Sequence, residues 1–363
     1  MTTVIYSFNK KGYEADFWSR EIAAASNSSV RFIPFNHDVY LPVERYIRAQ
    51  LLDNLYYARD PRLEKLYADL RALIARERVD AVVVDNCPPY HPEFLRTLSI
   101  HKVLRTADGP MAAYDRDFAY IHAYDQVLYH TPAYSRDLAM RDKLLYCGAK
   151  DCALWPLGLF EAGHDPSLDE EEVFAQKRDI DIIFVGAIHP NKMPLLAKVK
   201  KAFPGRFVLR GDSSLKRNLY FNAKYGFPGW VTPIPFSQYV PLYKRAKIGI
   251  NVHNRGKYTV GGYRLFELPA NGVMQISDGG EYLSTFFEPG KEIVAYDSAD
   301  DLVEKIRFFL AHDAERVKIA RAGYRRVMLD HRMGQRLQEL HALIRAGMER
   351  ESSAEGRHRA SRG

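Results

Sequence analysis

The chain has 363 residues, more than one ordinary core accommodates, so two domains are expected. Hydrophobic residues make up 47% and charged residues 27%, the balance of a globular protein, and no apolar run is long enough to cross a bilayer. The net charge is +7, and residues 1–157 balance at 20 Lys+Arg against 20 Asp+Glu, so the second part carries the whole excess.

The start, MTTVIYSF, reads as a first strand and has neither the basic nor the apolar region of a signal peptide. Further strands are expected at VRFIPF (30–35), DAVVVD (80–85), KVLRT (102–106), QVLYH (126–130) and ALWPL (153–157). Helices fall between them. The clearest spans about 61–77, with Leu63, Leu66, Leu70, Leu73 and Ile74 on one face and Pro61 in its first turn. Another is expected after Thr131, an N-cap followed by Pro132. The three cysteines, Cys87, Cys147 and Cys152, lack metal-type spacing and read as reduced thiols of a cytosolic protein.

The stretch LWPLGLFEAGHDPSLDEEE (154–172) breaks the alternation with Pro156, Gly158, Gly163 and Pro166 and reads as an interdomain linker. The pattern then restarts with strands at DIDIIFV (179–185), RFVLRGD (206–212), KIGINVH (247–253), VMQIS (273–277) and EIVAY (292–296). Ser298 and Asp301 open a helix carrying Leu302, Ile306, Phe309 and Leu310. Two more helices run to about 347, and the polar end, 349–363, reads as a disordered tail. The expected domains are 1–157 and 158–348. Alternating strands and helices point to parallel α/β sheets, whose ligands bind beyond the carboxyl ends of the strands.

The charge bias is sharpest in 186–264, with 15 Lys+Arg and one acid, Asp212. Such a field attracts phosphates, although a solvated basic face is the plainer reading. Within it, FVGAIHPNK runs strand, glycine, loop, cation. Gly186 lets the backbone turn closely, and Lys192 stands at the start of the next helix. GGYRLFELPANG (261–272) repeats that layout. Gly261 and Gly262 permit close approach, Arg264 can take two phosphate oxygens in one fork, and Glu267 lies one turn on. A carboxylate there suits the hydroxyls of a ribose, and an ordinary surface Arg–Glu pair is the alternative. Tyr263 precedes this pair and Phe266 lies within it, and Asn251, His253 and Asn254 end the preceding strand, where they could contact a phosphate or sugar, with loop hydrogen bonding as the alternative. Asp108, in TADGP, is a candidate base or acceptor ligand, with a turn-forming role as the alternative. His91 reads more simply as a cap or structural group. Phe227 and Trp230 can stack on a base or fill the core.

The order FVGAIHPNK … GWVTPIPFSQYVPLYKRAKIGINVH … RLFELPANGVMQISDGGEYLSTFFEPGKEIVAYDSADDLVEKIRFFL resembles the donor domain of group-1, GT4-type glycosyltransferases, and within them the CgeB-like branch with its R-x-F-E block. The resemblance covers roughly residues 150–345, with looser similarity before. It implies a GT-B fold, two Rossmann-like α/β domains facing each other across a cleft, with the acceptor in the first and a nucleoside-diphosphate sugar in the second. It further implies that no metal or cofactor is needed. Carried over residue by residue, Glu267 matches the ribose-holding glutamate and Lys192 a diphosphate-binding lysine. Gly186, Asn251, Asn254, Gly262, Tyr263, Arg264 and Phe266 join the donor site, and Asp108, Arg264 and Lys192 form the catalytic set. The chain departs from the pattern at Ala187, Thr259 and Ala107, where arginine, glutamate and histidine are usual. An epimerase or phosphorylase on the same fold, and a non-catalytic surface or coat assembly protein, are the rival readings. The expected place is the cytoplasm, with a peripheral contact to an anionic inner membrane face compatible with the basic segment. A nucleic-acid partner ranks lower.

Overall fold

Runs of Val and Ile that read as strands bury both faces, which requires helices on either side of each sheet. A computed structural model describes residues 1–41, 61–85, 89–106, 121–211, 214–253 and 260–360. The chain divides into two compact units, Met1–Pro156 together with Met333–Gly363, and Leu157–Arg332.

In the first unit six strands lie in the order Val30–Asn36, Thr2–Phe8, Ala81–Asp85, His101–Thr106, Gln126–Tyr129 and Cys152–Leu154, all parallel. Val82, Val83 and Val84 are fully buried, as a central strand covered on both sides requires. The helix Pro61–Glu77 buries Leu63, Leu66 and Leu70, the face expected from their spacing. The segment after Thr131 departs from expectation. Ala133–Ser135 and Leu138–Ala139 pair as a short antiparallel ribbon, the Met140 amide donates to the Pro132 carbonyl, and the helix begins only at Met140. Between the buried Ala133 and Met140, the polar pair Arg136–Asp137 leaves no apolar stripe to hold a helix against the sheet.

In the second unit the order is Phe207–Arg210, Ile180–Val185, Ala246–Asn251, Met274–Ser277 and Val294–Ala295, again parallel. The helix Ala299–Ala311 buries Leu302, Ile306 and Phe309. Its cap is half of the expected arrangement. Ser298 accepts from the Asp301 amide, but the Asp301 carboxylate reaches back to Asp297 rather than Ser298.

Three expectations about organisation change. The boundary between the units falls inside the expected linker 154–172, between Pro156 and Leu157, but residues 157–172 are built into the second unit rather than standing free. Leu157 and Leu159 join its apolar core, and the Leu159 amide donates to the His331 carbonyl. The acidic run is a helix start, Glu170–Ala175, with a complete Asp169–Glu172 capping box, and Glu170 and Glu171 pair with Arg321. At the other end, residues 333–348 group with the first unit, not the second. Residues 349–360, expected as a disordered tail, continue the helix Met333–Ala360. That helix is tied to its unit by polar contacts that composition does not reveal. Trp155 Nε1 donates to the Arg336 carbonyl and Gln126 Nε2 to the Leu343 carbonyl.

Candidate functional site

The strand order of the second sheet reverses between Ile180–Val185 and Ala246–Asn251, because the first strand stands between the second and the third. Connections leave such a point in opposite directions, which opens a crevice beyond the strand ends. Several of the candidate residues collect there. Arg264 opens the short helix Arg264–Ala270. Its Nε donates to the Val185 carbonyl at 2.6 Å and its Nη1 to Asn251 Oδ1 at 3.2 Å, so one guanidinium bridges the ends of both strands. It also lies over the Phe184 ring, 4.4 Å from the centroid.

Gly186 is what admits it. Its φ is +139°, and a Cβ there would stand 1.8 Å from Arg264 Nη2. The close approach expected at this glycine is thus made by the arginine. Gly211 repeats the device one strand over, where a Cβ would meet the Gly186 carbonyl oxygen at 2.1 Å.

Lys192 comes to the same ring from the other loop. Its Nζ donates to the Ala187 carbonyl at 3.1 Å and lies 5.6 Å from the Phe184 centroid. The side chain is not a surface point charge at a helix start, since the residue is 1% exposed. Burial, and then the charge of Arg264, push its ammonium down to about 7 against the pull of Asp278. Two basic groups therefore converge on one aromatic ring, an arrangement that could receive an anion.

The ends of the next two strands bring a carboxylate close enough to act on Lys192. Asp278 accepts from the His253 amide at 3.1 and 3.2 Å, and His253 Nδ1 lies 2.5 Å from its Oδ1. His253 Nε2 is 3.5 Å from Asn251 Nδ2. Sequence reasoning passed over Asp278, although its place after the strand Met274–Ser277 and before Gly279-Gly280 is a strand-end signal. It also passed over Phe184 and Tyr243, and took Gly163 only as a linker glycine.

Glu267 is 8% exposed and packs against the turn Glu161–Gly163. A Cβ at Gly163 would lie 3.2 Å from Glu267 Cγ and 3.8 Å from Oε1. Asn271 Nδ2 ties that turn to the helix, donating to the Gly163 and Glu267 carbonyls at 2.8 Å each. Burial, and then the nearby Glu267, push the Tyr243 phenol well above its usual range.

The remaining candidates scatter. Tyr263 is half-buried with its ring edge-on to Phe160, 5.6 Å between centroids. Phe266 is fully buried against Phe286, Phe287 and His331, so it supports the core rather than the cluster. Gly262 has open space beside it, whereas Gly261 has φ +114°. Phe227 is buried in the core, and Trp230 is exposed. His91 caps the helix Pro92–Arg96, its Nδ1 accepting from the Glu93 amide. Asp108, Asn254, Ala107 and Thr259 lie outside the described residues.

Residues 193–342 match a family described as glycosyl transferase-like. The sequence matches none of the curated proteins. Among solved structures, sucrose-phosphate synthase from Thermosynechococcus elongatus superposes with a TM-score of 0.64 at 14% identity, over 95% of this chain and 99% of that one. Anabaena HepE in complex with UDP gives 0.56 at 9% identity, over 95% and 100%. A putative UDP-N-acetylglucosamine 2-epimerase from Listeria monocytogenes gives 0.54 at 11% identity, over 96% and 98%. The fold is therefore GT-B, with one Rossmann-like parallel sheet in each unit. The matched segment, which includes Arg264, Glu267 and Asp278, is glycosyl transferase-like.

Proposed function

We propose that the protein is a glycosyltransferase that moves a sugar from a nucleoside-diphosphate sugar to a hydroxyl-bearing acceptor. The observation that carries this reading is the convergence of Arg264 and Lys192 on Phe184 at the switch point of a glycosyl transferase-like domain. An acceptor oxygen attacks the anomeric carbon, the bond from that carbon to the diphosphate breaks, and the hydroxyl proton passes to Asp108 or to the departing diphosphate. Negative charge then grows on the leaving phosphate. Fixed cations placed there stabilise it without reorganising, which is the largest service such a site performs. Arg264 and Lys192 take this role in place of a metal. Glu267 holds the ribose, with Asn251, Asn254 and the backbone around Gly186 and Gly262 completing the donor site. The acceptor belongs to the first unit, with Asp108 as its hydroxyl ligand or base. Retention of configuration would follow from the GT4 resemblance, and the R-x-F-E block of RLFE supports a reading nearest the CgeB-like branch.

A cytoplasmic location with a peripheral membrane contact fits the helix Leu215–Tyr225. Leu215, Leu219 and Tyr220 are exposed there beside Lys216, Arg217 and Lys224, and Trp230 is exposed shortly after. No helix among the described residues is long and apolar enough to cross a membrane.

The test is product analysis across UDP-, GDP- and ADP-sugars in the presence of a chelator. Sugar transfer to an acceptor, or slow release of free sugar without one, supports the reading. An epimerised nucleotide sugar as the product would replace it with the epimerase reading. Neither product from any donor would overturn it.

A further inference from the structure

We propose that Asp278 and His253 are positioning residues that hold Arg264, through Asn251, in the orientation that receives a diphosphate; the inference rests on the donor-site reading above. The donors and acceptors of the four groups permit one consistent arrangement. A carboxylate only accepts, so the 2.5 Å contact between Asp278 Oδ1 and His253 Nδ1 places the ring proton on Nδ1. In the neutral imidazole Nε2 is then the acceptor, and it lies 3.5 Å from Asn251 Nδ2. At that length the contact selects an orientation more than it binds. It favours the amide with Nδ2 toward the ring and Oδ1 turned away. Oδ1 is the atom that accepts from Arg264 Nη1 at 3.2 Å. The reversed amide would set an NH2 against the guanidinium, two donors face to face, and would release the arginine from the Asn251 strand end.

The backbone locks the same chain of contacts. Asp278 accepts from the His253 amide as well as the ring, and its own amide donates to the Asn251 carbonyl at 3.3 Å. Asn251 and His253 are 3% and 6% exposed, so water does not readily substitute for a lost partner. Arg264 is thereby fixed on two sides, by the Val185 carbonyl and by an amide whose direction Asp278 sets through His253. A guanidinium held in this way takes a two-oxygen ligand without first being ordered.

The test is a double-mutant cycle read by titration calorimetry on the full chain. The probes are the diphosphate that the parent binds among UDP, GDP and ADP, and the matching monophosphate. Asp278→Ala is expected to weaken the diphosphate about tenfold or more and to leave the monophosphate near the parent value. In an Arg264→Ala background, Asp278→Ala is expected to cost much less than in the parent, leaving only its direct electrostatic action on Lys192. An undiminished loss in that background, or an equal loss for monophosphate and diphosphate, overturns the relay. If the alanine variant fails to fold by circular dichroism, Asp278→Asn, which keeps an acceptor for the His253 amide, goes through the same cycle, and the same two outcomes support or overturn the relay. A parent that binds none of the three diphosphates overturns the donor site itself, and the relay with it.

Discussion

Lys192 is the residue whose environment differs most from its sequence context. A lysine in a basic segment reads as solvated, yet this one is 1% exposed, and its ammonium is pushed down to about 7. The sign of the consequence follows from linkage. Between about 7 and the ordinary lysine value of 10.5, the unfolded chain holds a proton that the folded chain does not. Stability therefore rises with pH across that window, by up to about 1.4 kcal/mol per pH unit, and the penalty is complete once the pH has fallen through 7. A bound diphosphate favours the charged form, so binding takes up a proton above pH 7 and weakens as pH rises. Urea unfolding of the parent and Lys192→Met at pH 7, 8 and 9 checks this. The parent should gain on the variant as pH rises, and parallel curves would contradict it. The arginine was legible as a candidate because it stands two residues after a glycine pair at a strand-to-helix junction. The lysine's burial was not legible, because it depends on Phe184 and Arg264 arriving from other elements. Glu267 was legible as a carboxylate one turn from Arg264, but the Gly163 turn that packs on it lies 104 positions earlier in the chain.

Elements with a strong period were read well and elements fixed by distant partners were not. The strands of both sheets and the helices Pro61–Glu77 and Ala299–Ala311 follow apolar spacing that the chain carries locally. The helix Met333–Ala360 does not announce its destination. Its periodicity shows a buried face, with Leu337, Leu340 and Ile344 inside, but only the structure places that face in the first unit. It contacts the helix Gly12–Ala24 and the strand His101–Thr106, and Gln338 bonds both the Ala25 carbonyl and Asn27. Truncation after Arg332 should therefore damage the first unit rather than trim a tail. Losing three buried apolar side chains at about 1.5–3 kcal/mol each is comparable to the stability of an ordinary domain, about 5–15 kcal/mol. The expected outcome is a chain whose first unit is protease-sensitive while peptides from 157–332 stay protected. Equal protection of both units after truncation would contradict the assignment. The capping box at Asp169–Glu172 shows the opposite case, a local signal hidden by the surrounding prolines and glycines.

The whole molecule repeats one topology. Both sheets place their first strand between the second and third, and buried polar groups gather at the resulting switch point in each unit. In the first unit Ser7 Oγ lies 2.8 Å from His37 Nδ1 and 2.7 Å from the Tyr90 hydroxyl, and burial pushes His37 down to about 3, so it stays neutral. In the second unit the gathered groups include two cations, Arg264 and Lys192, beside Asp278, whereas Lys198, Arg206, Lys244, Arg245 and Lys247 of the same basic segment pair with acids elsewhere. If the protein is a glycosyltransferase of the kind proposed, the diphosphate of a sugar nucleotide seats on Arg264 and Lys192. Calorimetry at pH 7 decides this by comparing nucleoside diphosphate binding to the parent and to Arg264→Ala, with the matching nucleoside as control. The variant should lose about 2–3 kcal/mol of diphosphate affinity, a charge-assisted pair, while nucleoside binding is unchanged. Equal diphosphate affinity in the two proteins would contradict it.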